Sequence, residues 1–309
     1  MALVIIRNDE KTPIWMAAFQ EFDSSLKVYD YRKPHPEEEI RMAAVWKHPH
    51  HSLYTYKNLS GVHSMGAGVD FILNDPNLNR NWPILRVKNE HLASDMAEYI
   101  LTHILSVLKD LSYYHSNKFQ KHWHPLAYKR MSEVTVGIMG LGTLGQAASE
   151  LLTKCGIPCL GWTRETQPKV PFPVYSGWDS LSLFLSKSQI LICLLPLTPE
   201  TQNILNNETL AHLPKGAHLI NVARGPLLVE SDLITALDNG QLSGATLDVF
   251  VKEPLGTDHP FWKHPKIFIT PHMASVSDPK SVVPQIVQNY YTLLEGGSLQ
   301  NRVNLNRGY

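Results

Sequence analysis

The residues of this 309-residue chain that could do chemistry fall into two groups, both in its second half. The first is Gly140-Leu141-Gly142-Thr143-Leu144-Gly145, a G-x-G-x-x-G pattern that follows the apolar run Val134–Met139 and opens a stretch with helical spacing. At such a strand-to-helix junction Gly140 permits a tight turn, Gly142 lets a pyrophosphate approach the backbone, and Gly145 lets helix and sheet pack closely. The unpaired N–H groups of the helix start, at Thr143 and Leu144, would then hold the phosphates. The second group comprises Asn221-Val222-Ala223-Arg224-Gly225, the segment from Asp248 to Glu253-Pro254, and Thr270-Pro271-His272-Met273-Ala274. Each segment lies at the C-terminal end of a predicted strand or just behind it, where open α/β sheets bind ligands. Topology thus brings together a guanidinium, a carboxylate and an imidazole, groups suited to gripping an oxyanion and moving a proton.

The end of the second strand indicates which dinucleotide this loop would take. An NAD site usually carries an acidic residue there for the ribose 2′-OH. Here the strand ends Gly161-Trp162-Thr163-Arg164 with no carboxylate. Thr163 can donate a hydrogen bond and Arg164 can pair with a 2′-phosphate, so the pattern predicts NADP(H). NADH stays open if Arg164 is merely solvated and Glu165 takes the ribose.

Positioning these groups requires a regular scaffold. From residue 134 onward, strands are predicted at Val134–Met139, Pro158–Trp162, Gln189–Leu194, His218–Val222, Ala245–Asp248 and Lys266–Thr270. Between them Gly145–Cys155, Leu181–Ser186, Asn207–Leu213 and Ser231–Asn239 have helix-like spacing, with Glu230 or Ser231 where an N-cap would stand. The first hundred residues alternate as well, with strands at Leu3–Arg7, Lys27–Tyr31, Met42–Val45, Gly61–Ser64 and Ile84–Arg86. A helix from Ser94 to Tyr114, with a stripe at Met96, Ile100, His103, Ile104 and Val107, is expected to join the halves, and Ser281–Leu294 to form a last helix. The fold class is α/β: two open parallel-sheet domains, a Rossmann-type cofactor domain and a flavodoxin-like substrate domain, with an inter-domain cleft as the default ligand site.

Composition excludes other classes. With 43% hydrophobic and 18% charged residues, the chain is neither disordered nor dependent on staples. Balanced charge, 28 Lys+Arg against 28 Asp+Glu with no run of five basic residues, argues against a nucleic-acid partner. No apolar stretch approaches bilayer length, and Met1–Arg7 followed by Asn8-Asp9-Glu10 reads as a strand rather than a signal peptide, so a cytoplasmic protein without membrane contact is expected. The three cysteines, Cys155, Cys159 and Cys193, read as buried thiols. The clusters His48 to His51 and His122 to His124 lack an accompanying carboxylate or a second His at helical spacing, and no metal is expected.

The glycine loop followed by the Arg224, Glu253 and His272 segments, in this order, resembles the D-2-hydroxyacid dehydrogenase family over essentially the whole chain. The resemblance implies hydride transfer between a nicotinamide and C2 of a 2-oxo or 2-hydroxy acid. It implies His272 as the general acid, Glu253 as the carboxylate that orients and stabilises its imidazolium, and Arg224 as the clamp on the substrate carboxylate and carbonyl. It also implies that Asp248 binds the nicotinamide carboxamide, while Leu195 and Pro196 flank the cofactor on one side and Asn221, Val222 and Ala223 on the other. In the first half Ser64-Met65-Gly66-Ala67-Gly68-Val69-Asp70 matches the family's substrate loop, whose backbone N–H groups take the carboxylate. The implied domains are 1–98 with 281–309 for substrate and 99–280 for the dinucleotide. Around His91 the chain departs from the family's glycine-containing stretch, which leaves the pocket shape open.

Val45-Trp46-Lys47-His48-Pro49, Trp123, the Trp162-Thr163-Arg164 strand end, Val251 to Leu255 and the terminal Arg307-Gly308-Tyr309 resemble the branch whose members reduce glyoxylate and hydroxypyruvate with NADPH. There Trp46 would narrow the pocket for a compact substrate. A reductase of a bulkier 2-oxo acid and a non-catalytic dinucleotide sensor are the alternatives. The family is usually dimeric, and the aromatic segment Tyr113–Arg130 is the candidate arm between subunits.

Overall fold

The computed structural model describes residues 1–165 and 168–309. Two compact units form, one from Met1–His91 with Val276–Tyr309 and the other from Leu92–Ser275.

The first unit contains β1 (Ala2–Arg7), α1 (Thr12–Phe22), β2 (Val28–Asp30), β3 (Ile40–Trp46), β4 (Gly61–Ser64), α2 (Asp70–Leu73) and β5 (Ile84–Leu85). The strands are parallel in the order β2-β1-β3-β4-β5, so the chain reverses direction across the sheet between β1 and β3. Register pairs Arg7 with Trp46 at this switch point, where open sheets take ligands. Residues 2 to 6 are fully buried, as suits a central parallel strand covered on both faces. Helix α1 has no counterpart among the helices expected from the sequence, although Trp15, Ala18 and Phe19 are buried at i, i+3 and i+4.

The next helices are α3 (Glu90–Leu108), which belongs to the second unit from Leu92 onward, and α4 (Leu111–Gln120). This corrects the single helix expected from Ser94 to Tyr114. The start lies earlier because Asn89 Oδ1 accepts the His91 N–H at 2.8 Å, while Ser94 donates to Glu98 instead of capping. The break falls at Asp110, whose φ of 49° is a left-handed conformation that Asp tolerates better than most residues. Next come β6 (Val136–Met139), α5 (Thr143–Lys154), β7 (Cys159–Thr163), β8 (Val174–Ser176), α6 (Leu181–Leu185), β9 (Ile190–Cys193), α7 (Asn207–Ala211), β10 (Ala217–Asn221), α8 (Glu230–Asp238), β11 (Leu242–Leu247) and β12 (Ile267–Ile269). All seven strands are parallel, in the order β12-β11-β10-β9-β6-β7-β8. The edge strand β8 was not expected, and Val229, not Glu230 or Ser231, stands at the start of α8. In β9, Leu191 and Cys193 pack into one core layer and Ile190 and Ile192 into the other, the alternation that buries both faces. The last helix, α9 (Pro279–Leu294), belongs to the first unit and starts at Asp278, whose carboxylate accepts the Ser281 N–H. Cys159 and Cys193 are buried, with thiols pushed up to about 12 by burial, whereas Cys155 is only half-buried.

Two histidines are structural. His63 on β4 donates from Nδ1 to the Ser64 carbonyl at 2.7 Å and accepts at Nε2 from Asn289 of α9 at 3.2 Å. His218 on β10 meets Thr246 at 3.1 Å. Burial pushes both from 6.5 down to about 4. A base whose folded pKa is depressed is neutral in the fold while the unfolded chain takes up a proton, so its contribution is whole above 6.5 and is lost as pH falls toward 4. Unfolding free energy should therefore fall by on the order of 2 kcal/mol per histidine from about pH 7 to pH 5. Urea midpoints that stay constant over that interval would contradict it.

Candidate active site

Strands β10, β11 and β12 are neighbours, and Asn221, Leu247 and Ile269 near their C-terminal ends share one register. The chemical segments therefore emerge side by side. Asn221 is fully buried and holds its own turn: its Oδ1 accepts the Ala223 N–H at 3.2 Å and its Nδ2 donates to the Arg224 carbonyl at 3.1 Å. Val222 and Ala223 are buried beside it. Arg224 donates from Nη1 to the Ala223 carbonyl at 2.7 Å. The next residue must be glycine, because a Cβ on Gly225 would collide with the Phe250 carbonyl.

His272 Nδ1 lies 2.7 Å from Glu253 Oε2, and Glu253 Oε1 accepts the Phe250 N–H at 3.1 Å. Both side chains stay partly accessible, at 30% and 19%. His272 has a φ of 52°, a left-handed conformation that costs an ordinary residue ~1–2 kcal/mol. Asp248 holds it there. Its Oδ1 accepts the Thr270 hydroxyl at 2.6 Å and the Met273 N–H at 2.8 Å, and its Oδ2 accepts the Ala274 N–H at 2.8 Å. Thr270 in turn meets the Tyr99 hydroxyl of α3 at 2.5 Å. Asp248 is 1% exposed and braces the histidine loop from both sides, a use the sequence did not reveal.

The glycine loop follows β6, at the point where the order of the seven-stranded sheet reverses between β6 and β9. Gly140 has a φ of 99° and sits 2.8 Å, measured from a notional Cβ, from the Leu194 carbonyl. A Cβ on Gly145 would strike the Gly140 carbonyl, whereas Gly142 faces open space. The first turn of α5 has no side-chain cap, and Thr143 is exposed with Leu144 half-buried behind it. At the end of β7, Trp162 is fully buried and donates to the Gly177 carbonyl at 3.0 Å, and Thr163 meets Ser176 at 3.3 Å. Arg164 lies between two carboxylates, Glu165 at 3.3 Å from Nε and Glu200 at 3.3 Å from Nη1. Leu195 is buried and Pro196 half-buried in the loop after β9, whose turn is closed by Thr201 Oγ1 donating to the Pro196 carbonyl at 2.7 Å.

In the smaller unit the Trp46 ring packs on Gly66, where a Cβ would stand 2.5 Å from it. Trp46 also meets Phe71 edge-on at 5.6 Å. The loop is tied to itself: Met65 N–H donates to Val45, Gly66 N–H to Ser64 Oγ, and that hydroxyl to the Gly68 carbonyl. The Ala67 and Gly68 amides take no part in this network. Arg7, 5% exposed, aims Nη1 at the Met65 sulfur at 3.6 Å. His48 does have a carboxylate partner, Asp75 at 3.0 Å, supplied from across the fold where local spacing gives no sign of it. Among the described residues, no group of three metal-ligating side chains forms and no helix is long and apolar enough to cross a membrane.

Comparison with known proteins agrees with this arrangement. Residues 101–274 match the family described as D-isomer specific 2-hydroxyacid dehydrogenase, NAD binding domain. The chain is also 38% identical over 300 residues to glyoxylate/hydroxypyruvate reductase A of Serratia proteamaculans, covering 96% of each. It belongs to the D-isomer-specific 2-hydroxyacid dehydrogenase family. Among solved members of the family, a D-isomer specific 2-hydroxyacid dehydrogenase from Xanthobacter autotrophicus Py2, in complex with NADPH and MES, has a TM-score of 0.94 at 36% identity, covering 100% of this chain and 99% of that one. The NADPH-dependent glyoxylate/hydroxypyruvate reductase of Sinorhizobium meliloti, in complex with NADP and sulfate, has a TM-score of 0.92 at 31% identity with the same coverage. The family's two-sheet α/β architecture is the one expected from the sequence.

Proposed function

We propose that this protein reduces small 2-oxo acids, glyoxylate to glycolate and hydroxypyruvate to D-glycerate, with NADPH as donor and His272 as general acid. The observation that carries the reading is the 2.7 Å contact between His272 Nδ1 and Glu253 Oε2, which commits one ring nitrogen and leaves Nε2 as the atom that holds the transferable proton. The names of the relatives support the substrates.

The residues fit a dinucleotide. A notional Cβ has no room at Gly145 and open space at Gly142, so the loop is tight where it turns and accessible where a pyrophosphate would approach. The uncapped start of α5 supplies N–H donors, and Arg164 supplies the cation for a 2′-phosphate. When bound, the nicotinamide supplies the hydride to C2 of the acid. His272 Nε2 gives its proton to the oxygen as it becomes an alkoxide, and Glu253 stabilises the imidazolium before that transfer. Arg224 draws the substrate carboxylate and carbonyl into line and favours charge on the oxygen. We assign the Ala67 and Gly68 amides to the substrate carboxylate, with Met65 and Gly66 shaping the loop and Trp46 limiting substrate size. Leu195, Pro196, Val222 and Ala223 would provide apolar walls for the cofactor. Asn221 and Asp248 act chiefly by fixing Arg224 and His272. In this reading residues 1–98 with 281–309 serve the substrate and 99–280 the dinucleotide.

We further infer a cytoplasmic homodimer. The dimer is supported by the segment running from α4 to Arg130, where Phe119, Trp123 and Tyr128 are 73%, 97% and 62% exposed. The reading is tested by NADPH oxidation with glyoxylate and then hydroxypyruvate, alongside light scattering. Turnover on both acids and the mass of two chains are expected. Tight NADPH binding without turnover of either acid would refute the substrate assignment, and the mass of one chain would refute the dimer.

A further inference from the structure

The Arg164 guanidinium is held before any phosphate arrives. Arg164 follows β7 directly, and Glu200 lies in the loop after β9. These strands flank β6, so the 3.3 Å pair from Nη1 to Glu200 Oε2 reaches from one side of the glycine-loop strand to the other. Glu200 is presented by a fixed turn: Thr201 Oγ1 bonds the Pro196 carbonyl at 2.7 Å and accepts the Thr198 N–H at 2.9 Å. The two glutamates are not equivalent. Glu165 adjoins Arg164 in the chain and pairs through Nε. Glu200 is anchored elsewhere in the fold and takes a terminal nitrogen, part of the fork that a phosphate would use.

We propose that Glu200 sets the discrimination between NADPH and NADH, by standing in for the 2′-phosphate on Arg164 and opposing that phosphate as a like charge when NADPH binds. The inference rests on the reading that Arg164 receives the 2′-phosphate. A ribose hydroxyl meets no such opposition and can donate to the same carboxylate, so Glu200 acts against NADPH and with NADH. The Glu200 carboxyl is held below the usual carboxylate range, first by a hydrogen bond from Thr198, and is charged at neutral pH. Its side chain is 56% accessible, so solvent screens the effect to a modest size.

The test compares dissociation constants for NADPH and NADH, and for the fragments 2′,5′-ADP and 5′-AMP, by calorimetry at low ionic strength. The fragments read binding without turnover. Glu200→Gln should raise the preference for the 2′-phosphorylated ligand about fivefold in both pairs, and Glu200→Lys should raise it further. An unchanged preference in both variants, with Arg164→Ala abolishing it, would overturn the role of Glu200 while leaving the phosphate site intact. A native protein with no preference for 2′,5′-ADP over 5′-AMP would overturn the phosphate site itself, and this inference with it.

Discussion

Replacing His272 with alanine is expected to lower kcat for glyoxylate reduction by about 10² to 10⁴-fold, the range spanned by loss of a positioned general acid. The loss should fall on the chemical step. Alanine removes both the proton at Nε2 and the partner of Glu253 Oε2, 2.7 Å away. The left-handed backbone at residue 272 remains braced by the three hydrogen bonds to Asp248, so the loop should keep its course. The dissociation constant for NADPH should therefore change little, and single-turnover kinetics would separate binding from hydride transfer. Glu253→Gln keeps a hydrogen-bond acceptor but removes the charge that favours the imidazolium, so its loss should be intermediate. A His272→Ala enzyme within tenfold of the native kcat would remove the imidazole from the reaction.

The parts of the site that were legible in the sequence are those fixed by local rules. Gly140, Gly142 and Gly145 could be read because a strand-to-helix turn dictates glycine at those spacings. Arg224, Glu253 and His272 could be placed at strand ends because β10, β11 and β12 are short, β-branched or apolar runs. Where long-range pairing decides, the sequence is silent. Nothing near Asp248 indicates that its carboxylate is taken up by Thr270, Met273 and Ala274, some 25 residues onward. The same holds for the Asp75 partner of His48, and for Glu200 opposite Arg164. Strand β8 is not legible because three half-buried residues at a sheet edge carry no periodic signal. Nor is the helix break at Asp110, because a left-handed Asp interrupts an amphipathic pattern without glycine or proline to mark it.

Arg224→Gln should be nearly as damaging as loss of the histidine, with kcat/KM for glyoxylate down about 10³-fold, because a buried or bound carboxylate left without its cation costs ~2–4 kcal/mol or more. The effect should appear in KM as well as kcat, since in the proposed mechanism the guanidinium would meet both the resting carboxylate and the oxygen that gains charge. Lysine should not restore it. Arg224 is fixed by Asn221 on its carbonyl and by its own Nη1 contact to Ala223, and a guanidinium is a planar fork able to offer paired donors to a carboxylate. An ammonium on a flexible stem offers charge without the paired geometry, so Arg224→Lys should recover part of KM and little of kcat. Rescue of the Gln variant by added guanidinium ion would support the assignment through chemistry rather than folding. Full activity in Arg224→Lys would show that charge alone suffices, and would move the task of aligning the carbonyl from this arginine to another donor.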